Sequence, residues 1–318
     1  MPNVWGMEMI SAKVHHDAAV TAQGLTKFFG DRAVVQGIDL SVPRGMIYGI
    51  LGPNGAGKTT TIRMLLGIIE PDRGSRTVLG HARPRDGGDH IGYLPEERGL
   101  YPGMKAVDAI AFMGALRGLP RAEGKARAAV LLREAGLGHA IDQRIRRLSK
   151  GMAQFVQLLG AIVHQPELIV LDEPFSGLDP VNQERLEALI VRERDRGATV
   201  LFSTHVMAHA ERLCDRLAII AGGQRRFEGT VDEARATLPM RALYTPRANG
   251  PGLAALLPAG HEAVGAAYRF TLPPEGIEPL IQTLLAQGHG IAGLSLDRPG
   301  LHDAFVRIVN QANAEVQA

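Results

Sequence analysis

The nine residues GPNGAGKTT at 52–60 constrain this chain more than any other stretch. They fill every fixed position of the pattern G-x-x-x-x-G-K-[ST]. MIYGIL leads in as a buried strand, and TTTIRMLLGI leads out as a helix. Gly52, Gly55 and Gly57 let the backbone curl until several N–H groups face one point, as an anion requires. Lys58 adds a point charge for β and γ phosphates, and the Thr59 hydroxyl can ligate Mg²⁺. The helix that follows directs its positive end at the same phosphates. Strand, glycine turn and helix in that order make a nucleotide site and predict an α/β fold.

The remaining text continues the alternation. Short β-type segments such as AVVQGIDLSV lie between Val20 and about Gly45. Residues 104–165 carry helical patterns, broken by Gly and Pro near LRGLP and EAGLG. LIVL at 168–171 is a run of the kind buried on both faces of a parallel sheet. A helix over about 181–195, the strand ATVLFS and a helix after His205 follow. Beyond about Leu238 the character changes. PRANGPG reads as a loop and AYRFTL and IAGLSL as strands, while Ile277, Leu280, Ile281, Leu284 and Leu285 line one helical face. Leu301, Phe305, Ile308 and Val309 repeat that pattern in a last helix. The expected organisation is a flexible leader over 1–19, a nucleotide-binding domain over 20–238 with a helical subdomain at about 104–165, and a small C-terminal α+β domain over 239–318.

Composition narrows the partners. Among 318 residues, 35 basic and 33 acidic side chains leave a net charge of +2, too balanced to argue for nucleic acid. One cysteine, Cys214, excludes an internal disulfide and suits a reducing cytoplasm. No run approaches the roughly 18 apolar residues that span a bilayer; even FVQLLGAIVHQPELIVL is broken by His164, Gln165, Pro166 and Glu167. Work at a membrane would need another chain to do the spanning. MPNVWGMEMISAKVHHDA lacks the basic start and apolar core of a signal peptide, and Met7 or Met9 could serve as the start.

Further chemistry sits at strand ends. LIVLDE places Asp172 and Glu173 at the carboxyl edge of a buried strand, where open α/β sheets bind ligands. Asp172 is placed to hold Mg²⁺ through water, and Glu173, one residue on, to polarise an attacking water. LSKGM at 148–152 opens an apolar-faced helix, so Ser149 and Gly151 can offer a hydroxyl and bare N–H groups to a phosphate. SGLD at 176–179 follows the acidic strand, and STH at 203–205 ends the next one, near the same edge. Phe29, ahead of the phosphate loop, is placed to stack a base.

Singly these features have ordinary structural explanations; their order over residues 29–205 does not. Together they resemble the ATP-binding cassette (ABC) family, the motor subunits of ABC transporters, across roughly residues 20–235. The resemblance implies a P-loop NTPase cassette with a RecA-like core, an antiparallel β subdomain and a helical subdomain. It implies ATP as substrate with Mg²⁺, and two cassettes meeting head to tail around two ATP molecules, as a homodimer or with a closely similar partner. Phe29 would stack adenine, and Asn54, Gly55, Ala56, Gly57, Lys58, Thr59 and Thr60 would hold phosphates and metal. Asp172 would support the metal, Glu173 would be the general base, and His205 would contact the γ phosphate. Ser149 and Gly151 would complete the partner's site, with Asp179 communicating across the dimer.

Two places depart from the common pattern. In LSKGM, Lys150 and Met152 replace a glycine and a glutamine, while Ser149 and Gly151 remain. In IGYLPEERGLY, Glu96 stands where cassettes carry a glutamine that touches Mg²⁺ and the attacking water. A carboxylate there is repelled by phosphate unless metal lies between them or the side chain swings away, so Glu96 is expected to be either a Mg²⁺-linked sensor or a residue that enters the site only with metal bound, in a catalytic and coupling role. Glu97 is expected to pair with Arg98. The basic run DQRIRRLSK reads as a solvated or partner-facing surface. Soluble ABC ATPases of nucleic acid usually carry paired cassettes, coiled coils or zinc insertions, and this chain has none. The expectation is therefore a transporter subunit on the cytoplasmic face of the membrane, bound to a separate multi-helix permease, with no nucleic-acid partner. PEERGLY, LSKGM and the ending LHDAFVRIV resemble the bacterial drug and sodium export group, with regulation or dimer contact expected of the C-terminal domain. Cargo is selected elsewhere.

Overall fold

The computed structural model describes residues 18–97 and 99–317. Residues 1–17 of the expected leader, and Arg98 beside Glu97, lie outside them. Ala18 and Ala19 are not leader: they open the first strand, with Ala19 fully buried.

Three strands form an antiparallel sheet in the order β2-β1-β4, with β1 at Ala18–Phe29, β2 at Arg32–Pro43 and β4 at Arg73–Val78. Where the sequence suggested several short segments, β1 and β2 are twelve residues each, bent by register shifts rather than ended by turns. β4 (RGSRTV) carries one buried side chain and had no apolar signature to reveal it.

The second sheet has six strands in the order β5-β6-β7-β3-β8-β9. These are β3 (Ile47–Leu51), β5 (Ile91–Leu94), β6 (Leu168–Leu171), β7 (Thr199–Thr204), β8 (Arg216–Ala221) and β9 (Gln224–Gly229). All pairs are parallel except β8–β9. Both faces are covered, and the strands show it residue by residue. Ile169, Leu171, Val200 and Phe202 pack into one core layer with Ile110, Leu132, Phe155 and Leu159. Leu168, Val170 and Leu201 pack into the other with Ile38, Leu40, Ile62 and Leu65. Alternation between two apolar layers is why LIVL and TVLFST contain no solvent-facing position.

The first layer is closed by helices α2 (Ala106–Ala115), α3 (Arg121–Glu134) and α4 (Lys150–Ile162), which fall in the expected helical segment. α1 is Lys58–Leu65, directly behind the phosphate loop. α5 (Pro180–Asp195) and α6 (Met207–Leu213) follow β6 and β7.

The chain divides into two compact units, one running to Thr230 with the end of the chain from Ile308, the other Val231–Arg307. The second holds an antiparallel sheet ordered β11-β12-β10-β13, from Glu262–Val264, Ala267–Thr271, Arg241–Pro246 and Ile291–Asp297. Ala242, Tyr244 and Phe270 of that sheet pack with Leu253, Ile277 and Leu284 into its own core. AYRFTL and IAGLSL are strands within it; β10 and β11 flank or pair with AYRFTL and carried no sequence signal.

Candidate functional site

The carboxyl ends of β3, β6 and β7 converge because these strands pair in register, Leu171 beside Phe202 and Ile50 beside Ser203. The residues that follow each strand therefore surround one cleft of about 370 Å³. Its walls include Asn54, Gly55, Ala56, Gly57, Lys58, Thr59, Thr60, Glu96, Glu173, Ser176 and His205. A larger cavity of about 600 Å³, bordered by Val130, Leu131, Ile162 and Val163, contains none of the residues singled out in the sequence.

The loop's glycines are required by space as well as angle. A Cβ on Gly52 would sit 2.3 Å from the Ile220 carbonyl oxygen. Gly57 has φ +101 and its Cβ would lie 2.8 Å from the Val34 carbonyl oxygen. Gly57 is also the N-cap of α1, and no side chain caps it, so the helix start faces the cleft with its donors available.

Lys58 is buried and donates through Nζ to the carbonyl oxygens of Gly52 (2.9 Å) and Pro53 (3.3 Å). The same Nζ stands 3.1 Å from Glu173 Oε1, an ionic contact without hydrogen-bond geometry. The other carboxylate oxygen of Glu173 lies 2.9 Å from His205 Nδ1. The carboxylate is thus shared between two groups that face the phosphate cleft. Glu173 also has φ +48, a left-handed conformation for a side-chain-bearing residue. Such backbones cost about 1–3 kcal/mol and cluster where function needs them.

Asp172 is more deeply set. Its Oδ1 accepts from Thr59 Oγ1 (3.1 Å) and Ser203 Oγ (2.6 Å). Its Oδ2 is buried with no hydrogen-bond partner. An orphaned carboxylate oxygen beside a threonine hydroxyl is an oxygen donor set that a hard divalent cation fits. Among the described residues there is no group of three or more His, Cys, Asp or Glu that could hold a metal; Mg²⁺ needs only one or two carboxylates besides phosphates and water. The hydroxyl of nearby Tyr93 is raised above its usual range, first by burial, then by the charge of Asp172 and, less, of Glu96, against a hydrogen bond from Arg63.

Glu96 follows β5 and lines the cleft, while the next residue's carbonyl oxygen accepts from Gln157 Nε2 of α4 at 3.2 Å. The loop is thereby tied to the helix that LSKGM opens.

Besides Asp172, which reaches the cleft through Thr59, four predicted residues do not line it. Phe29 ends β1, 51% exposed, its ring 6.0 Å from Lys27 Nζ. Ser149 caps α4 by accepting from the Met152 N–H at 3.2 Å. Asp179 caps α5, accepting from the backbone N–H (3.0 Å) and Nδ2 (2.6 Å) of Asn182. Those hydrogen bonds, the backbone one foremost, hold its carboxyl below the usual range. A Cβ on Gly151 would meet Asn182 Nδ2 at 3.4 Å, so the starts of α4 and α5 lie side by side. Ser149, Gly151 and Asp179 therefore form a second surface.

Ser203 escaped the sequence reading. It is fully buried, donates to Asp172 and accepts from the Glu173 N–H at 2.9 Å. The signal existed: a polar residue in a strand with no exposed face must have a buried partner. Val34, which also lines the cleft, resembles any strand valine and gave no signal.

Comparison with known proteins addresses the same residues. The family model described as ABC transporter matches residues 35–176. The uncharacterized ABC transporter ATP-binding protein YhaQ of Bacillus subtilis is 36% identical over 297 residues, covering 91% of this chain and 98% of that protein. This chain belongs to the ABC transporter ATP-binding family. The Nod factor export ATP-binding protein I of Ralstonia nicotianae is 35% identical over 311 residues, 92% of this chain and 94% of its own length. A solved ATP-binding subunit of an ABC transporter superposes with a TM-score of 0.64 at 33% identity, covering 69% of this chain and 92% of that one. This ABC subunit accordingly binds ATP and hydrolyses it in the service of transport, and it works with membrane permease components. No helix among its described residues is long and apolar enough to cross a membrane.

Proposed function

We propose that this ABC subunit powers export, working at the cytoplasmic face of the membrane as a head-to-tail pair of cassettes that closes on two Mg·ATP. The observation that carries the chemistry is the sharing of the Glu173 carboxylate between Lys58 and His205 on the wall of the phosphate cleft. Incoming phosphates compete for both groups. Lys58 turns to the β and γ oxygens and His205 to the γ phosphate, leaving Glu173 free to take a proton from the attacking water. The loop from Asn54 to Thr60 holds the phosphates, and exposed Phe29 is available to stack adenine. Thr59, Asp172 and Glu96 would hold Mg²⁺, which when bound would neutralise phosphate charge.

The second surface supports pairing. Ser149, Gly151 and Asp179 stand away from their own cleft, so a phosphate contact by them requires another copy or a similar cassette. Tyr101 and Phe112, in T-shaped contact at 5.9 Å, and Leu116 leave apolar surface exposed on and beside α2. With the adjoining loop at Glu96, they suit contact with a permease. The reading of export rests on the Nod factor export relative, whose match runs nearly end to end. Pairing is tested by sedimentation of the Glu173→Gln variant, whose mass ATP is expected to double.

Glu96→Gln is expected to leave ATP affinity within about twofold while changing kcat or its coupling to transport, because only transition-state contacts move kcat alone. Wild-type hydrolysis and transport in that variant would show the carboxylate to be incidental. The C-terminal segment expected from the sequence, from residue 239 on, is assigned to regulation or cassette pairing. Removing residues 240–318 is then expected to alter dimerisation or export; unchanged ATPase activity, dimerisation and export would sink that assignment.

A further inference from the structure

Phe175 lies two residues beyond Glu173, in the turn that continues to Ser176 on the cleft wall. Its buried ring meets Phe202 of β7 edge-on, with centroids 6.0 Å apart at 76°. On its other side it lies flat against the imidazole of His209, at 3.9 Å and 9°. His209 is buried as well, and its Nδ1 stands 2.8 Å from Glu187 Oε1. Arg212 donates to the same oxygen through Nη2 (2.5 Å) and Nε (3.2 Å). Glu187 belongs to α5, which Asp179 caps, and His209 to α6, which starts two residues after His205.

One imidazole thus joins three pieces: the turn that carries Glu173, the helix behind His205 and the helix behind Asp179. A polar ring in a buried position must be held by a partner, and Glu187 provides it. The turn needs holding too, because the left-handed backbone of Glu173 persists only where surrounding contacts over-determine it. Its other ties include hydrogen bonds from the Glu173 N–H to Ser203 Oγ (2.9 Å), the Ser176 N–H to the Glu173 carbonyl oxygen (3.1 Å), the Leu178 N–H to the Phe175 carbonyl oxygen (3.3 Å) and Gln154 Nε2 to the Pro174 carbonyl oxygen (2.7 Å), none of which grips the Phe175 ring.

We propose that His209 is a positioning residue for ATP hydrolysis: stacked on Phe175 and anchored by Glu187 and Arg212, it keeps the turn 173–176 seated and the Glu173 carboxylate aimed into the cleft. This rests on the reading of Glu173 as the general base. The partners that hold His209, Phe175, Glu187 and Arg212, all lie outside the phosphate loop, so its effect falls on the rate of the chemical step and leaves nucleotide binding alone.

Steady-state hydrolysis by the full chain, with ATP affinity measured separately at equilibrium, tests the proposal. His209→Ala is expected to lower kcat about tenfold with ATP affinity within about twofold of wild type, since a small misplacement of a catalytic group is costly. His209→Phe keeps a flat ring on Phe175 and is expected to recover most of that loss. His209→Leu fills the space without a ring and is expected to stay low. In a Glu173→Gln background, His209→Ala is expected to cost nothing more, because residues acting through one group are not additive. A wild-type kcat in His209→Ala overturns the proposal, as does a Phe variant no better than Leu at equal melting temperature. Where the alanine variant fails to fold, Phe175→Leu is expected to show the same loss of kcat, and a wild-type kcat there overturns the proposal equally. The two readings fail differently. A fully active Glu173→Gln overturns both, whereas an inactive Glu173→Gln beside a fully active His209→Ala overturns only the positioning role.

Discussion

Glu173→Gln is expected to slow ATP hydrolysis by about 10²–10⁴-fold while ATP still binds, the size of effect general-base removal produces. The fold should tolerate the change. An amide can turn its oxygen toward Lys58 and its NH₂ toward His205 Nδ1, replacing the two contacts the carboxylate makes at 3.1 and 2.9 Å. The backbone at φ +48 suits Gln no worse than Glu. What is lost is the ability to accept a proton from water. Because the cycle stops before bond cleavage, the closed pair of cassettes accumulates, and sedimentation with ATP is expected to show a doubled mass. A variant that hydrolyses like wild type, or stays monomeric with ATP, contradicts the assignment of Glu173 or the sandwich respectively.

Lys58→Ala is expected to weaken ATP binding by about 10–100-fold, the loss of a charge-assisted hydrogen bond of roughly 1.5–3 kcal/mol. The fall in kcat/KM should be larger, because a cation aimed at charge that develops in the transition state is commonly worth about 10²–10³-fold in rate. The structure adds an effect on the nucleotide-free protein. Lys58 serves two loop carbonyls and a buried carboxylate, all within 3.3 Å. Removing it takes this donor from the Gly52 carbonyl and the cation from Glu173 Oε1, while Pro53 keeps the Ala56 N–H (3.2 Å) and Glu173 keeps His205, so the variant measured without ATP is expected to be destabilised by about 1–3 kcal/mol. Equilibrium denaturation without ATP checks this, and an unchanged midpoint would show that the apo contacts contribute nothing. Glu173→Gln should not show that loss, which separates the two variants before any nucleotide is added.

Local pattern carried much of the fold and little of the geometry. Strands buried on both faces, such as Leu168–Leu171 and Thr199–Thr204, were legible because alternating core layers leave no solvent-facing position. β4 and β9 were not, since RGSRTV and QRRFEG owe their conformation to a neighbouring strand and bury little of their own. β10 was hidden for another reason: it buries Ala242 and Tyr244, but RALYTP is short and mixed, and it lies in a sheet whose order does not follow the chain. At the site, the phosphate loop, Asp172, Glu173 and His205 could be named because each sits at a strand or helix end with a fixed spacing. Ser203 signalled only that it needed a buried partner; that it touches both acids depends on which strand lies beside β6.

The sequence by itself determined that this chain builds an anion-binding turn, sets two acids at a strand end and orders its motifs as an ABC cassette does. Those are properties of consecutive residues, set by backbone angles and periodicity. Tertiary structure alone decided that Lys58 and His205 share Glu173, that Asp172 keeps one oxygen unpartnered, and that Ser149, Gly151 and Asp179 gather on a second surface. It also decided that His209 lies flat on Phe175. Each depends on the pairing of strands and helices far apart in the chain, a choice made by burial of whole faces, which no local pattern encodes.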